Sequence, residues 1–174
     1  MNKNSLTINE IDRIVVCNGP GNFNGIRSSI SAMKGVSSYL PIKLIGINKF
    51  QVLSKSNDPA LISLKYRDNK LYWCIVKNQE PIFMSSSEIE DIGIADDYSN
   101  FIVIGYRAEE IATNIKAKKF IEKNEVSIQD FLEYSRQIVT PEKFLPKPLY
   151  ISPGQSLFAK YKKPVILDAP VDAC

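Results

Sequence analysis

Between Asn18 and Gly25 the chain reads Asn-Gly-Pro-Gly-Asn-Phe-Asn-Gly, with Arg27 two residues further on. Glycines set between an apolar run and an amphipathic one are the raw material of a phosphate cradle. Backbone N–H groups at a helix start point at the anion, and a nearby guanidinium adds charge. Spacing tests two standard cradles. A P-loop needs Gly-x-x-x-x-Gly-Lys-Ser/Thr; here Ile26 and Arg27 follow Gly25, so the lysine and the magnesium-binding hydroxyl are missing. A dinucleotide fingerprint needs Gly-x-Gly-x-x-Gly. Gly19 and Gly21 fit, but Asn24 takes the third place and Gly25 comes one step late. Asn48 and Lys49 stand where the acidic ribose anchor should follow the second strand. Both nucleotide readings fail on named residues. Two others remain. The first helical amides and Arg27 hold an anion, or Gly19, Pro20, Gly21 and Gly25 form a structural turn that permits positive φ and close helix–strand approach.

The rest of the composition narrows the chemistry. The 174 residues contain no histidine, which removes Ser-His-Asp and Cys-His catalysis and histidine metal sites. Cys17, Cys74 and Cys174 form no Cys-x-x-Cys pair, so a zinc ribbon or thioredoxin-type motif is out. Cys17 and Cys74 sit in apolar runs and read as small buried hydrophobes of a protein in a reducing, cytoplasmic compartment. A hydrophobic fraction of 44% with 24% charge is that of a globular domain. A net charge of +3 is too weak to argue for nucleic acid by itself. The lysine clusters Lys116–Lys119 and Lys160–Lys163 read as solvated surface. No apolar run approaches a membrane span, and the opening MNKNSLTINE lacks a signal-peptide core.

Several elements must position the glycine turn. Ile11–Cys17, rich in Ile and Val, reads as a buried strand; residues 24–40 have helical periodicity, which Pro41 ends. Ile42–Ile47 reads as a second strand, so strand, helix and strand predict a parallel pair with a right-handed crossover. Further on, Leu61–Leu64 and Leu71–Val76 form a hairpin about Arg67-Asp68-Asn69, and Pro81–Met84 adds a strand. Phe101–Gly105 reads as a buried strand before a helix from Ala108 to Lys116. Ile128–Val139 is a helix capped by Ser127. From Pro141 onward five prolines up to Pro164 predict an extended tail with a short strand at Leu149–Ile151.

The first helix carries two faces. At about 100° per residue, Ile26, Ile30, Met33, Val36 and Leu40 share the face that should pack on the sheet. Ser28, Ser31, Ala32 and Gly35 share another, built of small residues, which suits either plain surface or close approach by a second helix.

These residues carry a resemblance. The stretch from Ile11 to Leu53 resembles the bacterial TsaB (YeaZ) family, whose members have a hydrophobic strand, then Gly-Pro-Gly-Ser-Phe-Thr-Gly-Leu-Arg, then a small-residue helix. Gly19, Pro20, Gly21, Phe23, Gly25, Arg27, Gly35 and Gly46 match; Asn22 and Asn24 stand where Ser and Thr are usual. Arg67, Tyr72 and Trp73 fit a second segment in which Lys65 replaces an aspartate. The sequence PLYISP is similar to a C-terminal segment in which Ser152 replaces an arginine.

The resemblance implies an α/β fold: a partial actin-like ATPase (ASKHA, RNase H-like) fold, a mixed sheet with flanking helices, truncated at its N-terminus. It implies a remnant of the N-terminal subdomain over residues 1–57 and a C-terminal subdomain over 58–174. The family's Asp-Thr-Ser strand and first long helix have no counterpart, which suggests a split protein, a misplaced start or a decaying remnant. The function implied is that of a non-catalytic scaffold and dimerisation subunit in tRNA N6-threonylcarbamoyladenosine synthesis. It would bind a TsaD-like catalytic subunit and work with a TsaE-like ATPase. A homodimer is an alternative, tRNA is reached indirectly, and no membrane is involved. No cofactor is expected on this chain, with ATP and metal on the partners. The partner face would be Ser28, Ser31, Ala32 and Gly35. The competing readings are a degenerate member with no present activity, and an ATP-binding or metallopeptidase-like enzyme.

Overall fold

A computed structural model describes residues 7–54, 57–92, 98–139 and 144–151. A single 3-10 turn at Ile8–Glu10 leads into strand β1 (Arg13–Cys17), helix α1 (Phe23–Tyr39), strand β2 (Lys43–Ile47) and short helix α2 (Lys49–Leu53). Strands β3 (Ala60–Lys65), β4 (Leu71–Lys77), β5 (Glu80–Ser87) and β6 (Ile102–Gly105) follow. Helix α3 (Ala108–Asn114), strand β7 (Lys119–Glu122) and helix α4 (Ile128–Arg136) complete the set. The chain divides into two compact units. The first runs to Lys49 and takes up Ser127–Leu149 again; Phe50–Val126 forms the body of the second.

In the first unit β1 and β2 pair in parallel, Arg13 opposite Lys43 and Cys17 opposite Ile47, with α1 as the crossover. Period two sends alternate side chains of β1 to opposite faces. Val16 and Ile14 meet Ile26, Ile30 and Met33 of α1, as the helical periodicity requires. Arg13 reaches the opposite face, where its Nη1 donates to the Ser135 carbonyl in the last turn of α4 at 2.9 Å. A capping box starts α4. Asp130 N–H donates to Ser127 Oγ at 3.2 Å, and the Ser127 amide donates to Asp130 Oδ2 at 2.8 Å. The helix α1 ends where Pro41 forces Leu40 into extended backbone (φ −128°, ψ 149°).

The second unit is a five-stranded mixed sheet in the order β5-β4-β3-β6-β7. β3 pairs antiparallel with β4 and parallel with β6, while β6 continues parallel into β7. Its core joins Leu61, Trp73 and Val103 of the sheet to Ile111 and Ile115 in and after α3. Trp73 is fully buried and donates its indole N–H to Ser87 Oγ at 3.0 Å. The β4–β5 turn places Asn78 (φ 52°) and Gln79 (φ 63°) in the left-handed region, the geometry of a tight hairpin turn. Gly105 (φ +123°) ends β6 so close to β3 that a Cβ would lie 1.9 Å from the Ser63 carbonyl oxygen.

The structure departs from the sequence expectations at several points. The boundary expected near residue 57 falls at Lys49/Phe50, and α4 is part of the first unit, because Arg13 and the edge of β2 bond to this late segment. Leu149–Ile151 is not a strand. Leu149 N–H donates to the Asn18 carbonyl at 2.7 Å and Gly46 N–H to the Phe144 carbonyl at 2.8 Å, isolated bonds without a ladder. Lys116, Lys118 and Lys119 are exposed, as a solvated cluster should be, but Lys119 also opens β7, an edge strand whose alternation is too weak to read. Cys74 is buried as expected, but Cys17 is half-buried. The segment 152–174, including Lys160–Lys163, Pro164 and Cys174, lies outside the described residues, as does Pro141.

Two outcomes follow. Gly105→Ala forces a Cβ into Ser63 and strains the backbone, so it should cost about 1–3 kcal/mol or more and lower the thermal midpoint. Burial pushes the Cys74 thiol pKa far up. Because the thiolate is the reactive form, Cys74 should resist alkylation in the native protein at pH 8 and react once denatured, as read by mass spectrometry.

Candidate interaction surface on the first helix

The glycine turn folds as a closed corner. Asn18 N–H donates to Ile47 O at 3.1 Å and Lys49 N–H to Gly19 O at 2.8 Å, tying the turn to the end of β2. Gly19 sits at φ +127°, and a Cβ there would lie 2.8 Å from the Leu149 carbonyl oxygen. Gly21 and Gly25 show neither feature: the nearest atoms to a Cβ lie at 3.8 and 3.6 Å, ordinary contact distances. The conformational need is therefore concentrated at Gly19. A second close approach occurs at Gly46, where a Cβ would come within 2.7 Å of the Leu145 oxygen and Pro146 Cα.

The helix start satisfies two of its own donors. Asn22 is the N-cap, its side-chain oxygen accepting from the Gly25 amide at 2.9 Å. The Ile26 amide donates to the Asn22 carbonyl at 3.0 Å. An anion bound by the Gly25 amide must displace Asn22 from it. Arg27 lies with Cζ 5.2 Å from the Phe23 ring centroid, a cation–π contact one turn along the helix.

Ser28, Ser31, Ala32 and Gly35 are all exposed, on the side of α1 away from Ile26 and Ile30. A Cβ at Gly35 would meet nothing within 4 Å. The charges of α1 are Arg27 and Lys34, both cationic. Ser29, Ser37 and Ser38 return their hydroxyls to helix carbonyls at Ile26 and Lys34. The surface is thus narrow, flat and free of acid.

Other residues singled out by the sequence sit in the second unit. Lys65 Nζ lies 5.8 Å from the Tyr106 ring and Arg67 Cζ 5.1 Å from that of Tyr66. Tyr72 stacks on Tyr66 at 4.2 Å, and burial, then the neighbouring Tyr66, pushes its hydroxyl up to about 12. Among the described residues no group of three or more His, Cys, Asp or Glu could hold a metal ion. No helix among them is long and apolar enough to cross a membrane.

The sequence reading missed a cavity of about 380 Å³ in the first unit, lined by Asp12, Arg13, Val15, Leu132, Ser135 and Arg136. Its walls come from β1 and α4, far apart in sequence, so only the outward alternation of Arg13 and Val15 could have signalled it.

Comparison with known proteins fits this architecture. Residues 1–79 match the family described as TsaD: tRNA N6-adenosine threonylcarbamoyltransferase. The chain shares its fold with YeaZ from Pseudomonas aeruginosa: TM-score 0.60, 14% identity, covering 84% of this chain and 77% of that one. A crystal structure of an uncharacterized protein with similarity to peptidase YEAZ from Pseudomonas aeruginosa gives TM-score 0.57 at 14% identity, covering 84% of this chain and 76% of that chain. No curated protein matches the chain in sequence. The mixed sheet with flanking helices is consistent with the actin-like, RNase H-like fold of these relatives.

The corner separates its glycines by experiment. Gly19→Ala should destabilise by about 1–2 kcal/mol through its left-handed φ. Gly25→Ala, inside the helix, should be neutral or stabilise by about 0.5–1 kcal/mol; urea unfolding of the two variants distinguishes them.

Proposed function

We propose that this chain is a TsaB-like scaffold subunit of a tRNA N6-threonylcarbamoyladenosine synthesis complex. It docks a TsaD-like catalytic subunit on the exposed face of α1, and a TsaE-like ATPase joins the assembly. The observation that carries the reading is the α1 face itself. One side of the helix is packed on β1 and β2, while Ser28, Ser31, Ala32 and Gly35 stay exposed with open space over Gly35. Small side chains let two helix axes approach closely, so dispersion contacts form along the whole face. The match of residues 1–79 to the TsaD family spans this helix, and the fold likeness to YeaZ supports the same reading. In this reading the group-transfer chemistry, ATP and metal reside on the partners. Ser28, Ser31, Ala32 and Gly35 supply contact, and Gly19 with Pro20 aims the helix.

The test is co-expression with the TsaD-like subunit of the same organism. A complex should form on affinity purification. Ala32→Phe should weaken it at least tenfold while leaving the circular dichroism and melting of the isolated chain unchanged, since Ala32 is exposed. Absence of any complex leaves a chain without the scaffold role. A complex indifferent to Ala32→Phe places the contact elsewhere.

A further inference from the structure

In the second unit β3 and β6 run in parallel and end together, and the residues just beyond them carry cations over aromatic rings. Gly105 lets β6 approach β3 closely enough to fix that end. Tyr106 N–H donates to the Ser63 carbonyl at 3.1 Å, and Ser63 Oγ donates to the Tyr106 carbonyl at 2.7 Å. Tyr106 is thereby held beside the end of β3, and Lys65 Nζ lies 5.8 Å from its ring centroid. Next along the chain, Tyr66 stacks on Tyr72 at 4.2 Å, and Arg67 Cζ lies 5.1 Å from the Tyr66 ring centroid. Both cations are within the reach of cation–π attraction, about 6 Å. The Lys70 amide donates to the Arg67 carbonyl at 3.0 Å and closes the turn to β4, so Lys70 belongs to the same end.

Charge at this end is one-sided. Lys65, Arg67 and Lys70 are exposed, and the one acid among them in sequence is Asp68, also exposed. Among the described residues none of these three cations makes an ion pair. Two acids beyond Tyr106 are engaged: Glu110 by the Arg107 side chain and Glu122 by the Glu109 amide. A solvated cation over a half-buried ring adds little to folding. It is prearranged for a ligand that brings both negative charge and a flat π face. An acidic peptide brings the charge alone, and a nucleic-acid duplex keeps its base faces stacked inside. Unpaired nucleotides bring both: phosphates for Lys65 and Lys70, and a base for the guanidinium of Arg67 and the ring of Tyr66.

We propose that this end of the second unit's sheet binds unpaired nucleotides of a nucleic acid. A base stacks on Arg67 and Tyr66, Lys65 and Lys70 hold the flanking phosphates, and Tyr106 keeps Lys65 in place. The surface lies outside α1, so the proposal does not depend on the scaffold reading. The probes are fluorescein-labelled decamers of uridylate and of thymidylate, an abasic decamer of equal charge, and an RNA duplex of the same length. Each is titrated against the full chain at low salt, with fluorescence anisotropy as the readout. The expected result is binding of a single-stranded decamer that weakens as salt rises. It should be about tenfold tighter than binding of the abasic decamer, because stacking adds to charge. The tighter of uridylate and thymidylate identifies RNA or DNA as the source, and either carries the proposal. Arg67→Gln and Tyr66→Leu should each weaken binding about fivefold or more. Lys118→Gln should leave it unchanged, since Lys118 precedes β7 at the other end of the sheet, where Lys119 pairs with Ile102. Arg67→Gln, an exposed change in a turn, decides the matter if Tyr66→Leu does not fold. Equal binding of the abasic decamer or of the duplex overturns the proposal. So does full retention of binding in Arg67→Gln, or no binding of either single strand. Competition by polyglutamate as effective as that by unlabelled decamer assigns the surface to an acidic polypeptide and overturns it as well.

Discussion

A strand of five residues has two faces and two edges, and the described residues engage both faces and one edge of β1. The bonds at Asp12 and Asn18 lock one edge to β2. With that phase set, period two decides the rest. Ile14 and Val16 must face α1, and Arg13 and Val15 must face α4. Shifting the register by one residue would exchange the two sets. It would place Arg13 against Ile26 and Ile30, an unpaired charge in an apolar contact, and the cost of burying such a charge keeps the register single. The angle of α1, and hence which of its faces is left outside, follows from this ladder and from the left-handed Gly19 that joins the two.

The second unit is organised differently. All residues of β3 up to Leu64 are buried, so this central strand reads as a continuous apolar run rather than an alternation. Several polar side chains in this unit hold it together. Ser63 donates its hydroxyl to the Tyr106 carbonyl at 2.7 Å, where Gly105 makes the approach possible. Trp73 and Ser87 join neighbouring strands, and Cys74 fills space without access to solvent. Arg107, itself in a left-handed conformation at φ 55°, steadies the start of α3 through its paired bonds to Glu110.

What the sequence showed and what it hid divide along physical lines. Strong local signals were readable: the apolar runs of β1, β2 and β3, the 3.6 period of α1, the Pro41 stop and the Ser127 cap all express short-range sterics and hydrogen bonding. The packed and open faces of α1 followed from periodicity alone, Ile26 and Ile30 buried and Ser28 and Ala32 exposed. The five-residue helix α2 was too short to set a period. β7 was masked by lysines, because its residues are exposed at an edge and their polarity says nothing about pairing. The expected strand at Leu149–Ile151 rested on composition, whereas the backbone there makes separate bonds to Asn18 and, through Phe144, to Gly46. The cavity between β1 and α4 depends on residues more than a hundred positions apart, and no local pattern encodes such a meeting.

That separation has a consequence for how the molecule comes into being. The bond from Arg13 to Ser135 spans 122 positions. On a ribosome releasing the chain from its N-terminus, Phe50–Val126 is fully synthesised while the first unit still lacks α4 and the segment that bonds Gly46 and Asn18. The segment up to Lys49 is therefore made before Phe50–Val126 and completed after it. Until α4 emerges, the face of β1 that carries Arg13 and Val15 lacks the helix that packs on it, and the described part of the first unit then holds a two-stranded sheet of the kind that is only marginally stable alone.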